Sequence, residues 1–198
     1  MASTPERPPT LHEHAADNLR FIREAMARAG TFTAVPGRGI VLVGSTALIA
    51  AWIAHTQPTP LRWMTVWLVE LAIAEILGIG GIVLKARSTG LGLLAAPVRR
   101  FALAFIPPLV VGGLLTLVMW NGGDTTSIGP MWLLLYGAAV MTGGALSVRV
   151  VPFMGLTILL TGCAALVFSA APVDLFMAIG FGLVQVAFGL RIARRYGG

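Results

Sequence analysis

The chain has 198 residues, of which 57% are hydrophobic and only 11% charged, and its mean hydropathy is +0.85. Those values exclude an ordinary soluble domain and point to a membrane protein. A net charge of +6 would suggest nucleic acid in a soluble protein. Here the basic residues flank apolar segments, where they set topology, so no nucleic-acid partner is expected.

Residues Met1 to Pro9 are polar and Pro-rich and are expected to be disordered. Thr10 and Glu13 have the T-x-x-E spacing of a capping box, which satisfies free amides at a helix start. From Leu11 to Ala29 the apolar side chains Leu11, Leu19, Ile22 and Met26 share one arc, and Glu13, Asp17, Arg20, Arg23, Glu24 and Arg28 share the other. This predicts an amphipathic helix braced by Arg20–Glu24 and Glu24–Arg28 pairs. Its polar face mixes signs, which favours docking on the chain's own cytoplasmic side or on a partner over anionic lipid, with a solvated connecting helix as the alternative. Leu11, Leu19, Ile22 and Met26 are therefore the expected partner-docking face.

The run Asp17-Asn18-Leu19-Arg20, Ile22-Arg23-Glu24, Met26, then Phe32-Thr33-Ala34-Val35-Pro36-Gly37 resembles the N-terminal stretch of a group of uncharacterised small bacterial six-span membrane proteins. The likeness covers about a fifth of the chain. It implies no activity and transfers no functional residue.

Six apolar segments follow, at about 39–55, 63–85, 101–120, 131–149, 152–170 and 175–192. The first apolar run begins only near Gly39, so it is expected to act as an uncleaved start-transfer segment. Residues Ala86 to Arg100, with Leu91, Leu93, Leu94 and Val98 between basic ends, suit a segment lying along the interface. Pro107-Pro108 in the third segment predicts a bend. In the sixth, Ala178, Gly182, Gln185 and Gly189 form a small-residue face expected to be an interhelical seam. The fold class is thus all-α: a polytopic six-transmembrane-helix bundle with an N-terminal amphipathic cytoplasmic helix.

Of the 14 Lys and Arg residues, all but Arg62 fall on one side: five before the first span, then Lys85, Arg87, Arg99 and Arg100, then Arg149, then Arg191, Arg194 and Arg195. The positive-inside rule places both termini in the cytoplasm, in a plasma or inner membrane.

The second segment carries Glu70 and Glu75, the ionisable groups committed to membrane depth. They differ by roughly 140° around the helix and by about 7.5 Å along it. Ala74, Gly78 and Gly81 lie between them, a surface expected to face protein. A charge at the centre of a membrane helix costs about 2.5–3.5 kcal/mol, so partners are sought at matching depth. Gln185 is the expected partner of Glu75, and Tyr136 of Glu70. Together Glu70, Glu75, Gln185 and Tyr136 form the candidate intramembrane polar site, read first as structural pairing and second as proton or cation handling.

Other chemistry is sparse. His55 sits at an outer boundary, and His12 and His14 point about 200° apart on their helix, so neither a metal site nor paired haem ligation is expected. The lone Cys163 excludes an intrachain disulfide and a cysteine metal cluster, and it reads as a small core residue. No P-loop, H-E-x-x-H or G-x-S-x-G occurs. No enzyme activity and no cofactor are expected. The favoured function is an accessory or signalling membrane subunit docking a protein partner at the cytoplasmic face. The alternative is a small proton- or cation-coupled transporter using Glu70 and Glu75, as a homo-oligomer within the lipid bilayer.

Overall fold

The computed structural model describes Ile22, residues 35–88 and residues 95–196. Contacts divide the chain into two units, Met1–Thr31 and Phe32–Gly198. In the first, Ile22 is helical and exposed; the rest of the expected amphipathic helix, with Leu11, Leu19 and Met26, lies outside the described residues.

The second unit is all-α. Its helices are α1 (Gly37–His55), α2 (Pro60–Ser88), α3 (Ala96–Asn121), α4 (Ile128–Gly144), α5 (Val150–Val167) and α6 (Val173–Tyr196). No strand occurs among the described residues. Five of the six are long and apolar enough to cross a membrane, and α4 is the shorter one at 17 residues. At 1.5 Å per residue α4 reaches about 25 Å, near the lower bound for a span.

Proline sets several helix starts. Pro60 opens α2, Pro97 lies in the first turn of α3, and Pro130 in the first turn of α4. A first-turn proline gives up an amide that would have been unpaired anyway. These helices therefore begin three to five residues before the expected segment edges at Trp63, Phe101 and Met131. Helix α3 runs unbroken through Pro107 and Pro108. At its end Gly123, with φ at +80°, makes the left-handed turn that glycine adopts without strain. Part of the expected interfacial stretch is helical: α2 continues through Ser88 and α3 starts at Ala96, while residues 89–94 lie outside the described residues.

Glycine determines which helices meet. Across α4 and α5, a Cβ at Gly137 would collide with the Leu159 backbone, one at Gly155 with the Met141 backbone, and one at Gly162 with Leu134 N at 2.9 Å. Across α1 and α6, one at Gly44 would meet the Gly182 carbonyl at 2.8 Å, and one at Gly189 the Val41 amide at 2.9 Å. Both pairs are antiparallel, and in both the missing side chains let the backbones touch. The expected small-residue face of α6 thus packs on α1 through Gly182 and Gly189. The main buried cluster, including Leu133, Val140, Met154, Ile158, Val184 and Ile192, comes from α4, α5 and α6 together with Val35, and α1 adds Ala47, Ala50, Ala51 and Ala54.

Helices α2 and α3 are peripheral. Of their apolar windows only 6% is buried in each, against 33–39% for α1, α5 and α6. Helix α2 packs along α1, and α3 along α4; the two neighbours in sequence do not pack along each other. Cys163 is exposed on α5 and is not a core residue.

One end of the bundle is basic. Lys85 Nζ donates to the Tyr196 carbonyl at 3.0 Å, and Gly37 abuts Ala193. These contacts gather the start of α1 and the ends of α2 and α6 at one end. The opposite end holds Arg62, and there Asp174 accepts from Trp63 Nε1 at 2.7 Å and lies 3.6 Å from His55 Nδ1.

Candidate intramembrane polar site

The four polar residues singled out in the sequence lie on α2, α4 and α6, and the structure pairs them differently from the expectation. Glu70 is 7% exposed and turns towards α1, where Thr46 Oγ1 lies 2.9 Å from Glu70 Oε1. The same hydroxyl is 2.9 Å from the Val43 carbonyl. A threonine hydroxyl both donates and accepts. It can donate to an ionised Glu70, or it can donate to Val43 and accept from a protonated Glu70. The contact therefore survives either charge state. Tyr136, expected to serve Glu70, does not.

Tyr136 instead lies beside Gln185, which is 3% exposed at the start of the last α-helical stretch of α6. The expected Glu75–Gln185 hydrogen bond is absent among the described residues. Glu75 is exposed on the flank of α2. Among the described residues it has no hydrogen bond and no ion pair. The geometry explains the exchange. Opposite flanks of α2 differ in cover, so Glu70 meets α1 while Glu75 is left exposed. Gly81 packs on Pro36, as expected for a protein-facing surface, whereas nothing lies within 4 Å of where a Gly78 side chain would be.

Aromatic rings connect the parts. Trp63 and Trp67 of α2 are 6.3 Å apart, Trp67 and Phe181 of α6 6.3 Å, and Phe181 and Tyr136 5.2 Å. The chain continues from Tyr136 to Phe105 of α3 at 6.0 Å and from Phe105 to Phe101 at 5.4 Å. These separations are those of favourable ring pairs. All six rings are half-buried. The Trp67 indole N–H is buried without a hydrogen-bond partner.

Sequence reasoning did not find Thr46, Phe181, the Trp63–Asp174 bond or the π-helical turn at Ala178–Val184. That turn carries Phe181 and ends at Gln185. Wide turns of this kind concentrate at functional positions. The available signal was Gly180 and Gly182 inside an apolar segment, both pressed by leucine side chains, Leu133 and Leu48. Two hollows of the described surface bear on the site: one, of about 280 Å³, is lined by Leu115, Met119, Ser127, Met131, Leu134, Leu135 and Leu166. The other lies on α6. Neither includes Glu70 or Glu75.

Comparison with protein-family models, with well-described proteins and with solved structures returned no match.

Proposed function

We propose that the chain is an accessory or regulatory subunit of a plasma or inner membrane, with both termini cytoplasmic, and that a partner's membrane helix seats on the open flank of α2. The observation that carries this reading is Glu75: a carboxylate inside an apolar helix, exposed and without a hydrogen bond or ion pair among the described residues. Left facing hydrocarbon, such a group costs about 2.5–3.5 kcal/mol. A donor or cation from a neighbouring helix removes that cost. The bare Gly78 one turn away lets a second backbone come close.

The apolar spans of this chain contain no Lys or Arg away from their ends. A second copy has no Lys or Arg to offer Glu75 at that depth, so a cationic partner at this flank is a different protein. The segment 11–29, with Leu11, Leu19, Ile22 and Met26, is a second contact at the cytoplasmic face.

Purification of the wild type and of Glu75→Gln from native membranes tests the proposal. A membrane protein that accompanies the wild type in fixed ratio and is depleted from the variant supports it. Proton or cation flux in proteoliposomes of the purified chain alone, lost in Glu75→Gln, supports coupled transport instead.

A further inference from the structure

We propose that the last two turns of α6 hold the headgroup of an anionic diacyl phospholipid. A hollow of about 430 Å³ on this helix is lined by Ala187, Leu190, Arg191, Arg194 and Arg195. On a helix these five positions fall within an arc of roughly 140°. The other side of the helix is buried through Gln185, Gly189 and Ile192. All five lining residues are exposed, so the hollow opens outward from the bundle. Its two parts differ in chemistry. Ala187 and Leu190 lie towards the middle of the span, and the three arginines lie at the helix end. That is the order of an acyl chain and its phosphate.

Charge complementarity carries the assignment. Among the described residues none of the three guanidinium groups has a carboxylate partner. The end of α6 would itself repel an anion, because its last carbonyls carry partial negative charge. Lys85 answers that charge by donating to the Tyr196 carbonyl at 3.0 Å. Guanidinium groups bind phosphate oxygens through paired N–H donors. Basic pockets on the basic side of membrane helices suit anionic headgroups. A zwitterionic lipid carries the same phosphate but brings an ammonium group into a site where no acid lines the hollow among the described residues.

The test uses the full chain in detergent micelles. Native mass spectrometry reports bound phosphatidylglycerol, phosphatidylethanolamine and phosphatidylcholine for the wild type, for R191Q/R194Q/R195Q and for the control R87Q/R99Q/R100Q. The control removes three charges from the same end of the bundle but outside the hollow. The expected result is a phosphatidylglycerol preference that weakens on the order of 100-fold in the first triple variant and persists in the control. Equal loss in both variants would mean diffuse attraction to a basic surface and would overturn the site. Displacement of the lipid by an equal concentration of sn-glycerol 3-phosphate would mean that the hollow takes free phosphate, overturning the lipid assignment. If the triple variant unfolds, R194Q alone should weaken binding about five-fold, and an unchanged affinity would count against the proposal.

Discussion

Replacing Gly155 by alanine places one methyl group where α4 and α5 touch. The added carbon would lie 2.7 Å from the Gly137 carbonyl oxygen and 2.8 Å from Met141 Cα, and its closest neighbour would be the Met141 amide. These are backbone atoms of a helix and cannot rotate aside. Carbon contacts become favourable near about 3.5 Å, so the helices would separate by roughly 0.8 Å. A gap of that size forfeits about a quarter to a half of the dispersion well along the seam. Overpacking of this kind costs about 1–3 kcal/mol. Alanine also gains up to about 1 kcal/mol over glycine in helix propensity, which would mask part of the loss. Gly80→Ala supplies the correction: nothing lies within 4 Å of its added carbon, so it carries the propensity gain alone. The expected result is a Gly155→Ala protein about 1–3 kcal/mol less stable than Gly80→Ala, measured by tryptophan fluorescence during unfolding in one lipid–detergent mixture. Coincident unfolding of the two variants would refute the backbone contact between α4 and α5.

Thr46→Val should cost about 1–3 kcal/mol, because it strands the buried Glu70 carboxyl without its 2.9 Å partner. Thr46→Ser should restore most of the loss in the same unfolding assay. In the loop between α3 and α4, the Asp124 carboxyl is held below its usual range by the Ser127 hydroxyl, then by the Ser127 amide and by Thr126. A depressed folded-state value means that this carboxylate supports the loop above its unfolded pKa and ceases to as pH falls through the lower folded one. Amide exchange at Ser127, whose N–H lies 3.2 Å from Asp124 Oδ1, should accelerate below about pH 4, and Asp124→Asn should abolish that dependence. Reporter fusions after Asp124 and Asp174 should register outside the cytoplasm, and one after Arg149 inside. The opposite pattern would invert the bundle.

Hydropathy revealed the six helices because each segment is uniformly apolar, so no tertiary context is needed to see it. It placed helix starts late wherever a proline stood in the first turn, since proline reads as a breaker in sequence and as a favourable opener in structure. The seam of Gly182 and Gly189 was legible because small residues at helical spacing have one common use in a membrane. The partners of the two glutamates were not. Depth and azimuth say how far a side chain lies along and around its own helix, but not which neighbour stands there. Glu70 met Thr46 because α1, not α4, covers that flank. The π-helical turn of α6 also shifts the face that Phe181 presents, a change that 3.6-residue periodicity does not anticipate. The amphipathic segment 11–29 lies almost wholly outside the described residues, so its docking face stands as a proposal.

The central claim is that the open flank of α2 receives a helix from another protein, and a photoreactive side chain at position 78 reads it directly. Gly78 and Gly80 both have free space around them but point about 200° apart on the helix, so position 80 serves as the internal comparison. In native membranes, irradiation should join position 78 to one membrane protein other than this chain, with a yield that falls in Glu75→Gln, while position 80 joins only lipid. Adducts at position 78 with lipid alone, or with a second copy of the chain, would contradict the account.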